Sequence, residues 1–417
     1  MPSIRKSLLQ LVFQGSFMKR WNDKRRSMEF VEVDKQAHKM LTAWALTRLN
    51  SRDMSPEDRL RLEREVIEGG LFDYFYRLII TDIKPPIFYQ IKANPEHYRK
   101  LTSWVLSELE PRLQPLGKEF WERLSRYLLA PDEKSLARDI LDAAHLYAST
   151  WEYNLIKQEN PWDEELLEIE SSFRDGLAKH EGLIGVTELK NAIVSGEKNT
   201  LGRFCQICGQ LRFQKRWSQT PRIPETSVLG HMFIVAAYAY FLGLAAEACT
   251  ARLVNDFFAG LFHDLPELLT RDIISPVKQS IEPMQGLIQE YEQKALSRLI
   301  LGPLGKDYPG LAERLSYYLG LEVGSEFADT VVEDGRIKKI TPAEIAGRYN
   351  HDRFDPKDGE MLKICDSLAA FIEAYITLQN GITSSQLQQA VWRIKTMYAS
   401  KAVNDTLHIG ALLADFD

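Results

Sequence analysis

Apolar residues recur three and four positions apart through nearly the whole 417-residue chain, and that spacing predicts helix after helix. Long strand-like alternations are scarce. One segment departs from the pattern: Asp329-Thr330-Val331-Val332-Glu333-Asp334-Gly335-Arg336-Ile337-Lys338-Lys339-Ile340 sets two β-prone arms around an Asp-Gly turn, the usual signal of a hairpin. The longest apolar run, Met232 to Ala246, is shorter than the roughly 18 residues of a membrane span, and it reads as a buried helix. The expected fold is all-α, with a small β-hairpin late in the chain and no membrane segment.

Composition narrows this picture. Hydrophobic residues at 45% and charged residues at 26% are those of an ordinary globular protein. The length exceeds what one hydrophobic core usually serves, so two or three domains are expected. A net charge of −6 argues against a basic face that would coat a nucleic-acid polymer, so any nucleotide is small and held in a pocket. Four cysteines do not make a disulfide framework, and the N-terminal stretch lacks the unbroken apolar core of a signal peptide; both point to the cytoplasm. Cys205 and Cys208 form one CxxC without the second ligand pair of a structural zinc site, and they read as core-facing helix residues.

The helical pattern also repeats. Phe17-Met18-Lys19-Arg20-Trp21 echoes Phe213-Gln214-Lys215-Arg216-Trp217, and Gly70-Leu71-Phe72-Asp73-Tyr74 echoes Gly260-Leu261-Phe262-His263-Asp264. His38 aligns by residue type with His231, and Asp142 with Asp366. This order of matches predicts two helical domains of common design, residues 1–185 and 186–417, with the boundary in the Gly/Ser-containing stretch 182–199. Their apolar faces are expected to pack together as an internal pseudo-dimer, with a homo-oligomer as the other form of assembly. The copies differ where chemistry needs agreement: Asp73-Tyr74 replaces His263-Asp264, and Arg77 stands at the position of Glu267. The first copy therefore reads as degenerate, with a structural or regulatory part.

In the second copy, Leu261-Phe262-His263-Asp264-Leu265-Pro266-Glu267 places protonatable groups in an apolar setting that normally excludes charge. A bound cation resolves the conflict. His231 and Asp366 lie in two other apolar helices, so the chain can offer two imidazoles and two carboxylates to one divalent ion: Mn, Co, Fe, Zn or Mg. Glu267, on the helix face expected to carry His263 and Asp264, is placed to act as general acid/base beside Asp264. His351 reads as an exposed loop residue.

This pattern resembles the HD-domain metal-dependent phosphohydrolases, and among them the YfbR-like 5′-deoxynucleotidases. The resemblance rests on Arg216-Trp217, His231, the run from His263 to Lys278 that follows the form HDxxExLTxDxxxPVK, and Asp366. It covers roughly residues 200 to 400. It implies an all-helical fold, a metal held by His231, His263, Asp264 and Asp366, and hydrolysis of a (deoxy)nucleoside 5′-monophosphate. It also implies substrate contacts from Arg216, Trp217, Asp272 and Ser275. Two positions depart from the family: the usual Glu before the first His is Gly230, and the usual Ser after it is Met232. Two other functions share the pattern: hydrolysis of a deoxynucleoside triphosphate or alarmone, and nucleotide sensing without turnover.

Overall fold

The computed structural model describes residues 3–270, 282–404 and 407–417, and within them helices dominate. The N-terminal half contains α1 (Lys6–Gln14), a two-residue ladder of β1 (Lys19–Arg20) and β2 (Phe30–Val31), then α2 (Glu32–Asn50), α3 (Pro56–Ile80), α4 (Pro85–Ala93), α5 (Pro95–Leu113), α6 (Lys118–Leu129), α7 (Leu136–Glu159) and α8 (Glu165–Ala178). Next come α9 (Val186–Lys190), α10 (Thr200–Gln210), α11 (Val228–Ala245), α12 (Thr250–Phe262), α13 (Glu267–Thr270), α14 (Glu282–Leu296), α15 (Gly302–Asp307) and α16 (Pro309–Tyr318). The hairpin β3 (Thr330–Glu333) and β4 (Arg336–Lys339), α17 (Pro342–Ala346), α18 (Gly359–Gln379), α19 (Ser385–Tyr398) and α20 (Ile409–Ala414) complete the chain. The all-α expectation holds. The hairpin forms where the Asp-Gly signal stands, with Asp334 and Gly335 both at positive φ (53° and 71°), as a tight two-residue turn requires.

Local chemistry starts the helices that build the site. Ser227 caps α11 by accepting from Gly230 N, and Asp358 caps α18 by accepting from Met361 N. α12 ends at Phe262 because Pro266 follows, and short turns carry the chain from Leu265 N→Phe262 O to Glu267 N→Asp264 O. His263 and Asp264 therefore sit in the turn after α12, and Glu267 opens a new helix. The expectation that all three share one helix face is corrected by that proline break.

α11 and α12 pack closely through Gly260: a Cβ there would lie 3.0 Å from Ala236 Cα and 3.1 Å from Ala236 N. α11 is apolar and long enough to cross a membrane, yet 94% of it is buried inside the fold. Its further neighbours include α2 and α18. Most buried apolar residues of the two halves form one continuous cluster, in which Trp44 meets Phe262 at 4.7 Å between ring centres and Tyr74 meets Phe233 at 4.9 Å. Cys205 and Cys208 are buried in this core, and His351 is exposed. A side chain at Gly260 must push backbone against backbone. Gly260→Val should cost roughly 1–3 kcal/mol in urea unfolding, and an unchanged midpoint would contradict the close approach of α11 and α12.

Candidate metal centre

α11, the turn after α12, and α18 bring the four expected ligands together. One ligand atom each from His231, His263 and Asp264 lies within 4.8 Å of the others. His231 Nε2 is 3.2 Å from Asp366 Oδ1 and 3.7 Å from Asp264 Oδ2, and His263 Nε2 is 3.2 Å from Asp264 Oδ2. Both imidazoles are buried, and both carboxylates are about four-fifths covered.

Tautomers follow from the partners. His263 Nδ1 lies 2.8 Å from Gly260 O, and a carbonyl can only accept, so Nδ1 carries a proton and Nε2 is the nitrogen that faces the carboxylates and can bind a cation once it gives up its own proton. That Nε2 is buried and makes no hydrogen bond of acceptable geometry. His231 turns Nε2 to the cluster and Nδ1 toward Glu373 Oε1, 3.8 Å away. Electrostatics show the same demand for a cation. Burial alone would lower the His263 pKa, but the adjacent Asp264 carboxylate overrides it and raises it to about 9. Burial would raise Asp264 and Asp366; His263 chiefly holds Asp264 low, and His231 with Lys363 holds Asp366 well below the carboxylate range. An orphaned buried nitrogen, a second imidazole and two carboxylates aimed at one point fit a divalent ion.

Arg216 reaches this cluster, with Nη1 3.4 Å from Asp264 Oδ2 and Nε 3.4 Å from Glu373 Oε2. Trp217 lies alongside and donates its Nε1–H to Glu373 Oε2 at 2.8 Å. Glu267 is half-buried and adds its charge to those acting on Arg216. Asp272, Ser275 and Lys278 lie outside the described residues. Sequence reasoning missed Glu373, Thr226 and Lys363. Glu373 is fully buried, accepts from Thr226 Oγ1 at 2.7 Å and stands 3.8 Å from Arg222 Nη1, so one carboxylate ties Arg216, Trp217 and His231 together. Its seven-residue spacing from Asp366, two helical turns on one face, is the signal that could have found it. Lys363 holds Asp366 Oδ2 at 2.9 Å from a half-exposed position at the rim. Gly230 also has a reason: a Cβ there would lie 2.6 Å from Asp34 Oδ1, so α2 fills the space beside His231.

The Arg216-Trp217 arrangement recurs at Arg20-Trp21. Trp21 and Trp217 both take positive φ, 57° and 56°; Trp21 donates to Glu152 Oε2 at 2.9 Å, and Arg20 Nε donates to the same oxygen at 3.0 Å. Glu32 N→Met18 O and Val228 N→Gln214 O, both 2.9 Å, fix the backbone register at an offset of 196 residues, that of Trp21 and Trp217. At that register Lys35, not His38, stands at the position of His231. Counting back from Glu152 as Asp366 counts back from Glu373 gives His145, not Asp142. The pairing by residue type was one helical turn out. His38 is a core residue instead, donating Nε2–H to Cys205 O at 2.9 Å and packed edge-on to Tyr147 and Trp151. Burial and then Arg212 press its pKa down to about 3.

Arg20 also meets the buried Glu32 at 2.7 Å. Burial would raise the Glu32 pKa, but Arg20, then Lys35 and Arg77, lower it from 4.5 to about 2. A carboxyl lowered on folding stabilises fully above its unfolded value, and the benefit fades as pH falls from about 4.5 toward 2, on the order of 3 kcal/mol in total. Glu32→Gln should therefore lower stability at pH 7 and flatten its dependence between pH 4.5 and 2. Parallel stability curves for the two proteins through that window would contradict the assignment.

Residues 208–395 match a family model described as HD domain. No curated protein and no solved structure matches the chain. The matched segment starts just ahead of Arg216-Trp217 and ends within α19, so it contains the whole cluster. The match supports an HD-domain family for this segment, and HD domains bind divalent metals.

Proposed function

We propose that this protein is a metal-dependent phosphohydrolase that removes phosphate from a small nucleotide, a (deoxy)nucleoside 5′-monophosphate. The observation that carries the reading is the convergence of His231, His263 and Asp264 within 4.8 Å, with Asp366 3.2 Å from His231, inside the segment that matches the HD domain. An HD domain points to metal-dependent phosphohydrolase activity in general; the monophosphate is the finer part of the proposal. His231, His263, Asp264 and Asp366 would hold one divalent ion. Such an ion, when bound, polarises phosphoryl oxygens and makes a coordinated water acidic.

The chain's own groups supply the rest. Arg216 brings a cation toward the phosphate, fixed in direction by Asp264 and Glu373. Lys363 offers a second cation at the rim, and two cations beside one ion suit a single phosphate group. Trp217, its N–H committed to Glu373, presents a ring face to the sugar. Glu267 takes the proton of the attacking water and returns it to the departing 5′-oxygen, so that nucleoside and phosphate leave. The N-terminal half we read as a degenerate copy of this domain. The repeated Arg-Trp-Glu geometry supports that reading, as does the packing of α2 on α11.

Purified protein should release phosphate from nucleoside 5′-monophosphates when given Mn, Co or Mg. Asp264→Ala should lose both metal and turnover. Glu267→Gln should keep the metal and lose turnover by roughly 10²–10⁴-fold. Pyrophosphate or triphosphate as the product would transfer the assignment to triphosphates. Absence of turnover, with wild type and Asp264→Ala binding metal equally, would end the enzyme reading.

A further inference from the structure

The N-terminal counterpart of the metal centre is built around cations of the chain itself. Lys35 Nζ lies 2.7 Å from His145 Nδ1, and an ammonium can only donate, so Nδ1 accepts and Nε2 carries the proton. Arg20, Lys39 and Arg77 surround this pair. Burial and then all four cations, Lys35, Lys39, Arg20 and Arg77, drive the His145 pKa well below its ordinary value. Carboxylates compensate them unevenly. Lys39 has Asp73 at 2.6 Å, and Arg77 has Asp82 at 2.9 Å. Arg20 has Glu32 and Glu152, but Glu152 also serves Arg212 at 2.8 Å. Lys35 has no carboxylate nearer than Glu32 at 3.7 Å among the described residues. That same Glu32 binds Arg20 at 2.7 Å and stands 3.7 Å from Arg77. Arg20, Lys39 and Arg77 each have a carboxylate within 3.0 Å, and among these four cations the buried Lys35 is left without one at hydrogen-bond distance. The Lys35 pKa falls to about 7, through burial first and then Arg20 and Lys39, with Glu32 opposing.

We propose that this cluster is an anion site that takes a phosphate dianion without a metal, held by Lys35, the Nε2–H of His145 and Arg77. A phosphate oxygen would supply the close negative partner that Lys35 lacks. His145 and Arg77 are half-buried, which leaves an approach from solvent. Lys35 and His145 replace His231 and Asp366, so the site binds and does not hydrolyse. The inference stands on the N-terminal charges alone and survives if the catalytic reading fails.

The test is calorimetric titration of the full chain in EDTA with inorganic phosphate and, separately, adenosine 5′-monophosphate. One-to-one binding is expected. It should persist in Asp264→Ala, weaken at least tenfold in Arg77→Gln and disappear in Lys35→Met. Tighter binding of the nucleotide identifies a phosphorylated nucleoside as the ligand; equal affinity identifies free phosphate. If Lys35→Met does not fold, Arg77→Gln, altered at the half-exposed mouth, decides. No binding of either probe, affinity unchanged in Arg77→Gln, or binding lost in Asp264→Ala would each overturn the proposal.

Discussion

Ionisable groups withdrawn from water at a junction of apolar helices must be compensated where they stand, and the rest of this structure is arranged around that requirement. In the C-terminal half, Asp264, Asp366 and the buried His231 and His263 face one another with the charge balance of a site that takes a cation from outside. In the N-terminal half the cation is covalently part of the chain, because Lys35 stands at the register of His231. The same helical frame thus serves two opposite electrostatic solutions.

The frame is shared as well as repeated. Ser227, which caps α11 four residues ahead of His231, donates its hydroxyl to Asp34 of α2 at 2.6 Å. Tyr240 of α11 donates to Glu68 of α3 at 2.6 Å, and Arg123 holds that carboxylate from α6. Gly230 leaves room for Asp34 where the resembling family carries a glutamate. The carboxylate facing the outer nitrogen of His231 comes instead from α18, as Glu373. Support for the first ligand is therefore supplied by other helices, and the N-terminal half is part of the wall behind the site.

Much of this was legible in the sequence. The 3.6-residue spacing gave the helices, Asp334-Gly335 gave the hairpin, and the clash of His263-Asp264 with their apolar neighbours pointed to the cluster that His231 and Asp366 complete. Register was not legible between the halves. A shift of one helical turn keeps a residue on nearly the same face, so matching His38 to His231 by type satisfied the periodicity while missing the position. Only the backbone bonds beside the two tryptophans distinguish Lys35 from His38. Glu373 escaped notice because a single glutamate on an apolar helix has no local signature; its meaning comes from Trp217 and Thr226, remote in sequence. Glu267 opens a separate helix because Pro266 interrupts the chain after Asp264, a break that the three- and four-residue spacing of His263, Asp264 and Glu267 does not reveal.

The central claim is that two imidazoles and two carboxylates from α11, the turn after α12 and α18 surround one divalent ion. X-ray absorption at the cobalt edge of protein loaded with one equivalent of Co(II) reads those ligands directly. His231 and His263 should give two imidazoles in the coordination shell, with one lost in His263→Ala. A shell of oxygen atoms alone, or one unchanged in His263→Ala, would contradict it.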